Sequence, residues 1–141
     1  MIKILTILSP MIIVFSFHVV GGAFFYIYDV FPEIDNVLHF LGGVSTAMSV
    51  LLAQQWGDET HQIPAVRGWL RIVLGVALVA LVAVLWELLE FALDRIIPGG
   101  RFQDGLFDTM LDLIMGLLGA LVVFGIGAVR ARSRRDLGGV K

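Results

Sequence analysis

Seven side chains able to hold a metal ion or carry protons fall into three short strips and one isolated position. Asp35 and His39 are four apart, Glu87 and Glu90 three apart, Asp108 and Asp112 four apart, and His18 stands alone. Residues three or four apart share one face of a helix, so on helices each strip points in a single direction. Imidazoles and carboxylates converging from facing helices form a ligand set for Zn, Mn or Fe. Soluble four-helix bundles build carboxylate-bridged metal pairs this way, although with Glu-x-x-His where this chain has Glu-x-x-Glu. The chain has no cysteine, which removes thiolate ligands and disulfides. No P-loop is present, and Ser45 and Thr109 sit in no recognisable triad.

These strips must be positioned by elements that are almost wholly apolar. Hydrophobic residues make up 58% of the 141 and charged residues 16%. A bilayer crossing takes about 20 helical residues, and four segments are long enough: 4–28, 34–56, 67–96 and 105–129. Between them lie Asp29-Val-Phe-Pro-Glu33, the polar stretch from Trp56 to Pro64, and Pro98-Gly-Gly100. Pro32 stops the first segment, and Pro10 bends its early turns. Only helices satisfy their backbone in lipid at these lengths. The expectation is therefore an all-α polytopic membrane protein: a four-helix transmembrane domain over 1–129 and a basic, disordered cytoplasmic tail over 130–141. The start could also be read as a signal peptide, with Val19-Val-Gly-Gly-Ala23 as a weak cleavage site. Because the apolar run continues to Tyr28, a retained transmembrane helix is expected.

Lysine and arginine near helix ends set orientation. Lys3 precedes the first segment, Arg67 and Arg71 flank the second loop, and Arg130, Arg132, Arg134, Arg135 and Lys141 occupy the tail. Both termini are thus expected in the cytoplasm, with Trp56 and Trp69 at that interface. The third loop, with Arg95 and Arg101, opposes this assignment. At 1.5 Å per residue, Glu87 and Glu90 lie roughly 6–13 Å below the outer end of their helix. His39 lies about one turn inside Asp35, and His18 roughly 13–15 Å down. All four helices then contribute to one layer in the outer half. Small residues beside the strips (Gly42, Gly43, Ser45, Ala47, Gly116, Gly119 and Ala120) permit close helix contact.

Nine acids fall in this outer half against Arg95 and Arg101 alone. A carboxylate in hydrocarbon costs about 2.5–3.5 kcal/mol even on the lenient insertion scale, so Glu87, Glu90, Asp108 and Asp112 would cost about 10–14 kcal/mol together. Three things could offset that: a bound divalent cation, protons shared in a hydrogen-bonded acid network, or an aqueous vestibule serving a proton or ion path. Residue by residue, His18, alone on an apolar helix, reads more readily as a helix-to-helix hydrogen bonder than as a ligand, and Asp94 as a partner of Arg95 or Arg101. Asp104 reads as the N-cap or first turn of the fourth helix. His61, Asp58 and Glu59 read as solvated loop residues, and Trp86 as packing or a pocket wall.

The decapeptides Ile34-Asp-Asn-Val-Leu-His-Phe-Leu-Gly-Gly43 and Phe107-Asp-Thr-Met-Leu-Asp-Leu-Ile-Met-Gly116 echo each other at Asp, Leu and the final Gly. His39 falls on Asp112. Two hairpins related as parallel repeats about an axis normal to the membrane would produce such an echo.

Asp35-x-x-x-His39-Phe with Gly42-Gly43, Trp86-Glu87-Leu-x-Glu90-Phe91, and Asp108-x-x-x-Asp112 with Gly119-Ala120 resemble the YjdF-like (DUF2238) bacterial inner-membrane proteins. A more distant similarity is to the VanZ-like family, whose members include a teicoplanin-resistance protein. The resemblance covers the second to fourth segments. YjdF-like proteins usually have more helices, so this chain looks like a reduced version. The resemblance implies which residues form a site and a bacterial inner-membrane location, and carries no biochemical activity. From the residues, the first functional expectation is a divalent-metal site (Zn, Mn or Fe) held by Asp35, His39, Glu87, Glu90, Asp108, Asp112 and His18. If catalytic, it would support metal-assisted hydrolysis or transfer on a lipid or envelope precursor. The second is a small cation or proton transporter or sensor, which at this length predicts a homo-oligomer. The third is an assembly factor without turnover.

Overall fold

A computed structural model describes residues 2–25, 27–31, 33–61, 66–97, 102–103 and 105–138. Five helices follow in order: α1 (Ile2–Phe25), the single turn α2 (Ile27–Val30), α3 (Ile34–Thr60), α4 (Trp69–Ile96) and α5 (Leu106–Gly138). Among the described residues four helices are long and apolar enough to cross a membrane: α1, α3, α4 and α5. The expected all-α, four-span architecture is therefore the architecture observed. Pro10 lies inside α1, past the first turn, so its missing N–H removes the helical bond to the Thr6 carbonyl; the Ser9 hydroxyl donates to that carbonyl at 2.9 Å.

The bundle is apolar outside and polar within. Ile13, Phe17, Leu78, Leu88, Ile114 and Leu121 are exposed, whereas Glu87, Glu90 and Asp112 are buried. Water would favour the reverse, and lipid favours this arrangement. A small core of Ala47, Val79, Ala120 and Phe124 closes the half of the bundle opposite the acids. α3 is central, packing on α1, α4 and α5, with its longest contact along α5. That contact is a glycine seam: a Cβ on Gly43 would overlap the Gly116 carbonyl, and one on Gly119 the Phe40 carbonyl. Small residues let the two backbones touch.

Two local expectations are corrected. Asp58 and Glu59 belong to the last turns of α3, which runs to Thr60 and closes on a left-handed His61. Asp58 is not a free loop acid. Arg71 Nη1 donates to its Oδ2 at 2.6 Å, and Arg71 Nε donates to Gln54 Oε1 at 2.7 Å, clamping α3 to the start of α4. α5 continues through the arginine cluster to Gly138, where a disordered tail is expected. Ala131, Arg132, Arg134 and Arg135 favour helix, and no breaker intervenes before the Gly138–Gly139 pair. Gly139, Val140 and Lys141 lie outside the described residues.

The clamp is half-exposed, and such pairs contribute about 0–1 kcal/mol. Arg71→Ala is therefore expected to lower the melting temperature in detergent by a few degrees at most, read by thermal denaturation. A larger loss would mean that this end of α4 is held by little else.

Candidate functional site

α1 and α4 finish at one end of the bundle, and α3 and α5 begin there, so the acid-bearing strips fall within about two turns of a common end. His39 stands at the centre. Its Nε2 lies 3.5 Å from Asp35 Oδ1 and 3.8 Å from Asp112 Oδ1, and its Nδ1 lies 3.6 Å from Glu87 Oε1. Two groups therefore share one imidazole, Asp35–His39–Asp112 and His39–Glu87–Glu90, each with donor atoms within 4.8 Å of one another. Asp112 is 2% exposed, and Glu87 and Glu90 are each 6% exposed.

His18, on α1, completes the layer. Its Nε2 lies 3.8 Å from Glu90 Oε1, and its Nδ1 lies 2.7 Å from Tyr28 Oη. Tyr28 is on α2, beyond the apolar window of α1. The two side chains share one hydrogen bond. The His18 ring also packs edge-on against Trp86, with centroids 4.8 Å apart, which makes Trp86 a wall of the site.

Asp108, half-buried one turn before Asp112, belongs to neither three-residue group. Asp104 lies outside the described residues. The expected pairing of Asp94 with Arg95 is not seen: Asp94 Oδ1 accepts the Phe102 N–H at 2.8 Å, and the Arg95 guanidinium lies 5.0 Å from the centroid of the Phe91 ring. Consecutive helical residues face different sides, so Arg95 and Asp94 are poorly placed to meet. Arg101 lies outside the described residues. Two partners escaped the sequence reading. Tyr28 reaches His18 across the turn between α1 and α2, and Gln103 Nε2 donates to Glu87 Oε2 at 3.3 Å from a loop sixteen residues away. Neither spacing carries a signal in an unfolded chain.

Three atoms at the centre, His39 Nε2, Glu87 Oε1 and Asp112 Oδ1, are buried without a hydrogen-bond partner among the described residues. The separations of 3.5–3.8 Å around His39 are long for hydrogen bonds, which have their mode near 2.9 Å. The two three-residue groups could hold an ion. Ligands at 2.0–2.2 Å from a tetrahedral metal stand about 3.3–3.6 Å from each other.

The family described as "Predicted membrane protein (DUF2238)" matches residues 2–133. A Thermotoga maritima protein described as "Uncharacterized protein" is 35% identical over 103 residues, covering 72% of this chain and 51% of that relative. The chain thus spans about half the length of the curated relative it matches. No solved structure matches the chain.

Proposed function

Since the chain belongs to the DUF2238 family of predicted membrane proteins, we propose that it is a multi-pass protein of the bacterial inner membrane whose buried carboxylate–histidine cluster binds a divalent metal ion. The observation that carries this reading is the set of buried, unpartnered atoms around His39, with Asp35 at 3.5 Å from Nε2, a ligand-to-ligand distance, and Asp112 slightly beyond it at 3.8 Å. Asp35, His39 Nε2 and Asp112 would hold the ion. Glu87 Oε1, 3.6 Å from Nδ1 on the opposite edge of the ring, would accept the Nδ1–H and fix the tautomer once the two close by several tenths of an ångström on metal binding, as carboxylates commonly do for metal-ligating histidines. With both termini cytoplasmic, the site faces the outer leaflet.

A divalent ion bound there would supply Lewis acidity and a hydroxide near neutral pH. The chain's own contribution would be positional. Glu90, next to His18 and outside the ligand set, is the carboxylate free to take a proton. Tyr28 orients His18 by its hydrogen bond. Hydrolysis or group transfer on a lipid or envelope precursor is the chemistry this arrangement would serve.

Elemental analysis of detergent-purified protein after loading with Zn, Mn or Fe tests the reading. Wild type is expected to retain about one ion per chain, and His39→Ala and Asp112→Asn none above background. Glu87→Gln is expected to retain the ion with affinity lowered about 10–100-fold, the usual cost of losing a carboxylate that orients a ligand. Wild type at background for every metal would end the proposal. Cation flux in proteoliposomes that disappears in Glu87→Gln would favour transport instead.

A further inference from the structure

A cavity of about 330 Å³ runs from the cluster toward the middle of the bundle, between α1 and α4. His18 and His39 line its polar end, and its floor is buried, formed by Leu38, Gly43, Thr46 and Val79. The α1 rim is exposed at Leu8, Ile12 and Phe15, so the cavity is a groove open sideways at hydrocarbon depth. Among the described residues the backbones of α1 and α4 do not approach closely. Phe15 and His18 join the two helices near the cluster, edge-on against Trp86, and His18 Nε2 lies 3.8 Å from Glu90 Oε1.

We propose that this groove holds one hydrocarbon chain of a phosphate-headed membrane lipid and so brings that lipid's head group to the carboxylate–histidine cluster. The length and the lining of the groove argue for a chain. From Leu8 to His18 the lining on α1 extends about 15 Å at 1.5 Å per residue. An extended chain advances about 1.2 Å per bond, judged from the extended peptide backbone, so the groove takes about a dozen carbons. The lining is apolar apart from the two histidines, Ser45 and Thr46, and the Ser45 hydroxyl is already bonded to the Gly42 carbonyl. One polar end and one apolar length is the shape of a lipid. The chain site stands on the groove alone; delivery of the phosphate rests on the metal reading, since bare carboxylates would repel an anion.

Gly42 supplies the test. It lines the groove, and a Cβ built on it meets nothing within 4 Å. Gly42→Leu should therefore fill the groove and leave the bundle intact. The probe is phosphatidylglycerol carrying a diazirine midway along one acyl chain, in phosphatidylcholine nanodiscs, with cross-links located by mass spectrometry. Wild type is expected to be labelled at Val82 and Ala83, saturably against unlabelled phosphatidylglycerol. In Gly42→Leu that labelling should fall about tenfold, while labelling of outward-facing Ile13 and Phe17 is unchanged. Equal labelling of groove and outward residues, unaffected by Gly42→Leu, would overturn the proposal. If Gly42→Leu does not fold, non-saturable labelling of wild type overturns it instead. Groove labelling that persists in His39→Ala while metal is lost leaves the chain site standing; groove labelling absent in a metal-loaded protein removes it without touching the metal reading.

Discussion

Gly43→Val is expected to lower the melting temperature in detergent by about 10 °C or more, or to prevent recovery of folded protein. A Cβ at this position overlaps the Gly116 carbonyl, with the Gly116 carbon and Cα behind it. Every obstructing atom is helix backbone, so no rotamer change relieves the clash, and α3 and α5 must separate along their longest contact. Overpacking of a tight core costs about 1–3 kcal/mol and more where nothing can yield. At a chain length between the calibrated size classes, about 3 kcal/mol corresponds to roughly 10 °C. The same separation would draw His39, one turn from Gly43, away from Asp112, one turn from Gly116, so metal retention should fall with stability. The neighbouring Gly42→Leu, larger but directed into open space, serves as the internal control and should melt close to wild type. A Gly43→Val protein as stable as wild type would mean that the α3–α5 seam is not as close as the geometry requires.

That seam also shows what the sequence could and could not reveal. In the decapeptide echo, Gly43 aligns with Gly116 and His39 with Asp112. In the fold these aligned residues face each other, the glycines backbone to backbone and the side chains 3.8 Å apart. The contacts advance together along both chains, so α3 and α5 run parallel, as two repeats of a hairpin would. The layer was legible because lipid forces helices, and helices convert residue number into depth at a fixed rise. Burial of Glu87, Glu90 and Asp112 followed from strips that share a face. The partners of individual groups were not legible. Asp94 takes a loop N–H, Asp58 reaches Arg71 thirteen residues on, and Tyr28 and Gln103 enter from connections whose path no periodicity encodes. The groove was hidden for a related reason. It is a gap between α1 and α4, and apolar residues that line a gap look like those that fill a core.

The variant carrying Glu87→Gln and Asp112→Asn is expected to melt higher than wild type in chelator and lower than wild type in excess divalent metal. The sign follows from what buried carboxylates cost. Both side chains are almost fully enclosed, each with an oxygen that has no hydrogen-bond partner among the described residues. Amides of the same shape remove the charge and keep the volume. Replacing buried ionic groups with well-packed neutral ones often stabilises by about 1–4 kcal/mol, here roughly 4–15 °C. If the acids were braces for His39 instead, breaking those buried pairs would cost about 3–5 kcal/mol, and the variant would melt lower in chelator. Adding metal should reverse the ranking. An ion that binds only the folded state stabilises by about 4.1 kcal/mol at a thousand times its Kd, enough to overtake the whole of that gain. Wild type should therefore climb with ion concentration while the variant, lacking the Asp112 ligand and the carboxylate that orients His39, stays flat. Measuring both proteins with and without metal separates the readings. A variant that melts lower in chelator, beside a wild type indifferent to every ion, would make the cluster a structural brace.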